Sequence, residues 1–207
     1  EQTALILPIG EWVLSEACRV IAKWEREGFR VPMSVNVSAR QIVPGSFVQY
    51  VRACIDAHGI RPELLELEIT ETAVIQRLEE FRDIIAELRL MGIGIAIDDF
   101  GTGYSSLAYV RDIDATTLKI DRHFIRDLPE DGTLVSVILN LARELRIDVV
   151  AEGVENQEQV DWLKGHGCTM AQGHLFNRAV TEHQFQRQYF SAAQESAPVS
   201  RSFGKAP

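Results

Sequence analysis

Basic residues are in short supply in this chain: 21 Lys+Arg stand against 30 Asp+Glu, a formal charge of −9. That balance argues against the clustered cations on which non-specific nucleic-acid binding rests. It admits a phosphorylated ligand where metal ions reverse the local sign. Cysteine is scarce as well. Cys18, Cys54 and Cys168 are odd in number, widely spaced, set among apolar neighbours and form no CxxC. They read as small core residues in a reducing compartment, not as a disulfide framework or a zinc cage. No stretch of about 18 uncharged apolar residues occurs and no charged–apolar–small leader pattern opens the chain, so no membrane contact is expected from this segment. The expectation is a cytoplasmic protein, or the cytoplasmic part of a larger sensory one. Familiar nucleotide and zinc motifs are missing too. There is no GxxxxGK-S/T loop and no HExxH, and Gly92 and Gly94 do not complete a dinucleotide fingerprint. Asp99-Phe100-Gly101 matches the kinase triplet but lacks a Gly-rich loop and a His-Arg-Asp segment. The five histidines are scattered, with His58 and His166 at expected helix ends.

What the chain does have is regular patterning. Its 207 residues are 46% hydrophobic and 25% charged, ordinary for a globular fold and sufficient for one core of full size. Apolar runs predict strands over 31–37, 64–69, 93–97, 117–120, 148–151 and 168–171. Helical periodicity predicts helices over 11–27, 46–58, 73–91, 105–110, 132–146, 157–165 and 182–190. On the first of these, Trp12 and Trp24 are expected to face the core. After residue 190 the composition turns to Ser, Ala, Pro, Gly and Gln without periodicity, so the domain is expected to span 1–190 and 191–207 to be a disordered tail.

Alternating strands and helices mean repeated βα units and a mostly parallel sheet. Six strands fit either an open doubly wound sheet or a TIM-type (β/α)8 barrel short of two strands. The strand ends favour the α/β barrel. In order, they carry Asn36, Glu68, Asp98 with Asp99, Lys119, Glu152 and Gln172. Simple strand stops would be Ser, Thr, Gly or Asn; acids, amides and a lysine from every strand suit the single mouth of a barrel. Gathered carboxylates repel one another unless cations neutralise them, and carboxylate and amide oxygens suit Mg2+ or Mn2+. Adjacent Asp98 and Asp99 can serve two ions, as in phosphoester hydrolysis. Lys119 beside them can hold an attacking water or stabilise phosphoryl charge.

Six segments then resemble a family. They are 34–41 (SVNVSARQ), 66–71 (ELEITE), 98–107 (DDFGTGYSSL), 118–121 (LKID), 151–155 (AEGVE) and 172–173 (QG). Their order and spacing are those of the EAL family, bacterial cyclic di-GMP phosphodiesterases, over about residues 9–185. The resemblance implies that Asn36, Glu68 and Asp98 bind a first metal, Asp98 also bridging, and that Asp99 and Glu152 serve a second. It implies that Lys119 contacts the nucleophilic water and that Glu152 shares in catalysis. Glu71 anchors the loop 99–106, through which family members also dimerise, Glu155 lies behind the site, and Gln172 faces substrate. The implied reaction opens cyclic di-GMP to linear pGpG with two ions, Mg2+ or Mn2+, and no nucleic acid as partner.

Two departures stand out. His174 and Ala179 replace the family's more usual Tyr and Pro along one wall. The Glu-Ala-Leu motif is absent, because the chain opens where family sequences are some tens of residues past it. A shortened form, a processed front and a natural degenerate member all fit; the intact downstream residues favour a missing front. The 207 residues alone are therefore expected to turn over feebly. The competing functions are a phosphodiesterase, a non-catalytic nucleotide-binding or protein-interaction module, and, more remotely, an unrelated two-metal hydrolase.

Overall fold

The structure, a computed structural model, describes residues 5–102 and 108–195. Strands and helices alternate along the chain. The first half holds α1 (Ile6–Arg26), β1 (Met33–Asn36), α2 (Phe47–His58), β2 (Leu65–Thr70), α3 (Glu71–Gln76), α4 (Leu78–Leu90) and β3 (Gly94–Phe100). The second holds α5 (Ala108–Asp112), β4 (Thr117–Ile120), α6 (Arg122–Arg126), α7 (Thr133–Leu145), β5 (Asp148–Ala151), α8 (Gln157–Gly165), β6 (Met170–Ala171) and α9 (Glu182–Glu195). Every strand pairing is parallel, and the order across the sheet is β1-β2-β3-β4-β5-β6. A doubly wound sheet reverses its order at a switch point. This one never does, so the winding is that of a TIM-type barrel.

Strand alternation sorts the side chains. Leu65, Leu67 and Ile69 on β2, Ile95 and Ile97 on β3, and Leu118 and Ile120 on β4 are all almost wholly buried. They form one core with Phe81, Ile85 and Leu88 of α4 and Val135 and Ile138 of α7. The other face carries Glu66, Glu68, Gly94, Ala96, Asp98, Thr117 and Lys119, polar or small at every position. Apolar packing outside thus holds a polar inner face in place. The outer layer also links the chain's two ends. Trp24 of α1 stacks on Phe185 of α9 with ring centroids 5.2 Å apart, Phe29 stacks on Phe190 at 3.8 Å, and Lys23 pairs with Glu182 at 2.7 Å.

Several expectations need correction. Trp12 does not face the core: it is 66% exposed, whereas Trp24 is 6% exposed. Twelve residues at 3.6 per turn leave the two about 120° apart around the helix, so one stripe cannot hold both. The single helix expected over 73–91 is two, α3 and α4, because Arg77 leaves helical geometry (φ −136°) and its guanidinium donates to the Ala39 carbonyl at 2.8 Å. Strand β3 continues through Asp98 and Asp99 to Phe100, and α6 follows β4 where no helix was expected. Helix α9 runs on to Glu195, past residue 190. The first half of the helix expected over 105–110 lies outside the described residues, as does 196–207, and the rest is α5, which runs on to Asp112. The three cysteines are free and buried, as their apolar neighbours suggested, and burial lifts the Cys18 thiol to about 12. Among the described residues no helix is long and apolar enough to cross a membrane.

Core and surface leucines should separate cleanly. Leu67→Ala, at a fully buried position, is expected to cost about 2–5 kcal/mol. Leu90→Ala, at a position 89% exposed, should stay within about 0.5 kcal/mol. Urea denaturation midpoints check both.

Candidate active site

The polar inner face converges on Lys119. Its ammonium lies 2.7 Å from Glu68 Oε2, 3.1 Å from Asp98 Oδ1 and 2.7 Å from Glu152 Oε1. Those partners come from β2, β3 and the residue after β5, so four elements meet on one nitrogen. Reach across β3 is possible because Ala96, the register partner of Glu68 on that strand, is small. Lys119 is 6% exposed and Glu68 7%. Burial alone would lower the lysine pKa; hydrogen bonds to Glu152 and Glu68 outweigh it and hold the ammonium protonated well above the usual lysine range. Several carboxylates nevertheless share one cation. Burial raises the Glu152 carboxyl above its ordinary 4.5, with Lys119 offsetting it only in part.

Asp98 and Asp99 are neighbours within a strand and would ordinarily point to opposite faces. They escape that rule through a bulge. Ile97 pairs with Leu118 and Phe100 with Ile120, so β3 spends three steps where β4 spends two. The extra residue is absorbed at Asp99, whose φ of 55° is left-handed. As a result, oxygens of Asp98, Asp99 and Glu152 lie within 4.8 Å of one another. Burial, then the charges of Asp98 and Asp121, raise the Asp99 carboxyl above its ordinary 3.8.

The remaining residues frame this group. Glu71, fully buried, accepts the Gly101 N–H at 2.8 Å and so fixes the chain two residues after Asp99. The rest of the loop it was expected to anchor, 103–106, lies outside the described residues. Gln172 donates to Glu152 Oε1 at 2.8 Å. Its approach needs Gly173, where a Cβ would stand 2.1 Å from the Val154 carbonyl oxygen. Glu155 lines the adjoining cavity without a side-chain bond to the cluster, while its backbone N–H is held by Gln159 at 2.8 Å. Asn36 stands opposite Glu68 in the β1–β2 register, exposed, two strands away from Asp98 and Asp99 on β3.

A cavity of about 650 Å³ opens beside the carboxylates, lined among others by Asp99, Glu152, Gln172, His174, Asn177 and Arg178. Asp121 also lines it and lies close enough to Asp99 to raise its pKa. It was not singled out in the sequence, although its place two residues after Lys119 on the same strand end was a usable signal.

The donor set fits hard divalent ions. It consists of oxygens only, and Asp98 Oδ1 is buried without a hydrogen-bond partner: it sits within 3.1 Å of Lys119 but off the line of a hydrogen bond. Such a lone pair is free for a metal.

The family model for the EAL domain matches residues 1–179. The bifunctional diguanylate cyclase/cyclic di-GMP phosphodiesterase MucR of Pseudomonas aeruginosa is 43% identical over 188 residues, 89% of this chain and 27% of that protein. The cyclic di-GMP phosphodiesterase NbdA of the same organism is 35% identical over 210 residues, 100% of this chain and 27% of NbdA. The chain thus spans about a quarter of the length of these curated relatives. Among solved structures, the MucR phosphodiesterase in complex with c-di-GMP superposes with a TM-score of 0.85 at 42% identity, covering 89% of this chain and 76% of that one. Klebsiella pneumoniae BlrP1 with manganese and c-di-GMP gives 0.75 at 29% identity, covering 83% and 44%.

The raised Asp99 carboxyl makes a pH prediction. A carboxylate whose pKa is higher folded than unfolded binds its proton more tightly when folded. Its contribution to stability is full below the unfolded value and is lost as pH rises through the folded one. Asp99→Asn removes that loss, and Asn tolerates the left-handed backbone. The metal-free variant should therefore melt above the wild type at pH 7, with the gap closing as pH falls below 3.8. Thermal melts across pH in the presence of chelator check this.

Proposed function

The chain belongs to the EAL domain family, and on that premise we propose that it hydrolyses one phosphodiester bond of cyclic di-GMP to linear pGpG with two divalent ions, Mg2+ or Mn2+. The observation that carries the reading is the meeting of Asp98, Asp99 and Glu152 beside the Lys119 ammonium at neighbouring strand ends. MucR and NbdA, by their names, support the substrate. The BlrP1 complexes with manganese or calcium support the class of ion. The intact cluster favours an enzyme over a non-catalytic binding module.

Asn36, Glu68 and Asp98 would hold one ion; Asp98, as the bridge, would hold the second together with Asp99 and Glu152. The ions, when bound, supply Lewis acidity at the phosphoryl oxygens and lower the pKa of the attacking water. Lys119, kept protonated, presents N–H groups to that water and to the charge that develops on phosphorus-bound oxygen. Glu152 is within hydrogen-bond distance of both Lys119 and Gln172, so it positions both, and its carboxylate would take the proton that the attacking water gives up. Gln172 orients the substrate from the cavity side. Glu71 holds the Asp99 segment, and Glu155 supports the wall behind Glu152. The same reading extends the catalytic domain to α9, seats a homodimer contact on the loop following Asp99, and places the activity in the cytoplasm, where free buried cysteines persist.

Product chromatography tests this directly. The protein as encoded by its gene should convert cyclic di-GMP to pGpG with Mn2+ or Mg2+ and stop on chelation. Asp98→Asn should lower turnover by more than about a hundredfold. Full activity in that variant would contradict the assignment.

A further inference from the structure

One layer below Lys119 on the inner face lies a second cross-strand contact that no step above uses. Glu66 of β2 accepts the Ser34 hydroxyl of β1 through Oε1 and the Thr117 hydroxyl of β4 through Oε2, both at 2.7 Å. Thr117 is 5% exposed. We propose that Glu66 is a positioning residue that aims Lys119 by clasping β4 to β2 across β3.

The need for such a clasp follows from the sheet. Strands β2 and β4 do not pair; β3 lies between them. Its pairing with β4 is interrupted by the bulge between Ile97 and Phe100, at the height where Asp98, Asp99 and Lys119 work. Backbone hydrogen bonds alone therefore give β4 a loose ruler just where Lys119 must meet Glu68 within 2.7 Å. The Glu66–Thr117 bond bypasses β3 and fixes β4 directly against β2, two residues before Lys119. It parallels the Glu68–Lys119 bond above it, and Ser34 ties β1, the strand of Asn36, to the same carboxylate.

The route is kept open by Gly94. This residue is the β3 register partner of Glu66. A Cβ there would stand 3.2 Å from Glu66 Cβ and Cγ and 3.4 Å from Oε2, crowding the side chain on its way to Thr117. The clasp needs hydrogen bonds but not charge. Hydroxyls both donate and accept, so the amide of Gln at position 66 would satisfy both partners with one bond reversed.

This role rests on Lys119 acting in the proposed hydrolysis, and the test separates the two. In steady-state assays of the protein as encoded, with Mn2+ and cyclic di-GMP, Glu66→Ala and Thr117→Val should each lower kcat about tenfold with KM nearly unchanged, the signature of a misplaced catalytic group. The double variant should be no worse than either single one, since both remove the same contact. Glu66→Gln should restore most of kcat, and Gly94→Ala should show a milder loss. A purely structural Glu66 would lower the melting temperature and leave kcat intact at temperatures where the variant is folded, which overturns the proposal. Crystal structures of Thr117→Val and Glu66→Gln decide the geometry whether or not turnover is seen. The Lys119 ammonium should leave Glu68 by about an ångström or more in the first and stay in the second. An unmoved Lys119 in Thr117→Val overturns the clasp. Absence of any product from wild type overturns the hydrolysis reading alone.

Discussion

An ammonium buried to the depth of Lys119 loses hydration worth on the order of several kcal/mol, and only close anions can replace it. Equally, the acids around it cannot all remain charged without a cation. The two needs meet in one place because Glu68, Asp98 and Glu152 arrive from different strands of a continuously wound sheet. Small residues on the inner face of β3 let side chains cross it, and the bulge at Asp99 turns two consecutive acids toward the same side. The apolar outer face, with Leu67, Ile95, Ile97 and Leu118 wholly buried, makes that polar interior affordable. Stability is supplied on one side of the sheet and chemistry on the other.

That division explains what could be read from the sequence. Residues such as Glu68, Asp98, Lys119 and Glu152 follow or interrupt apolar strand runs, and a parallel sheet brings such positions to one end. Their convergence is therefore legible in the sequence. Other features were hidden because they depend on partners far away in the chain. The break at Arg77 is set by the Ala39 carbonyl. The exposure of Trp12 follows from its angle around α1, which a loose count of apolar residues does not resolve. Asp121 looks like an ordinary strand stop until Asp99 is placed beside it. The bulge is the clearest case. The pair Asp98-Asp99 suggested two ions, but strand alternation forbids both side chains facing inward, and only the shifted β3–β4 register removes the contradiction.

The net charge of −9 also gains a local meaning. Part of it is concentrated where a divalent ion would reverse the sign, which reconciles an acidic protein with the anionic substrate proposed for it. The wall opposite the carboxylates is different in kind. His174, Asn177 and Arg178 line the cavity beside Gln172, and Gly173 and Gly153 bring these loops close. At Gly153, φ is 71° and a Cβ would stand 2.4 Å from Arg122 Cβ. Changes such as His174 and Ala179, relative to the common family pattern, fall on this wall and leave the carboxylate cluster intact.

The central claim is that the strand ends form one two-ion site in which Asp98 is shared. Anomalous diffraction at the manganese edge, on crystals of the protein grown with Mn2+ and cyclic di-GMP, tests it most directly. The account predicts two peaks about 3.5–4 Å apart, both within bonding distance of Asp98, one on the side of Glu68 and the other on the side of Asp99 and Glu152. A structure with bound nucleotide and no manganese at these carboxylates, or with manganese only elsewhere, would contradict it.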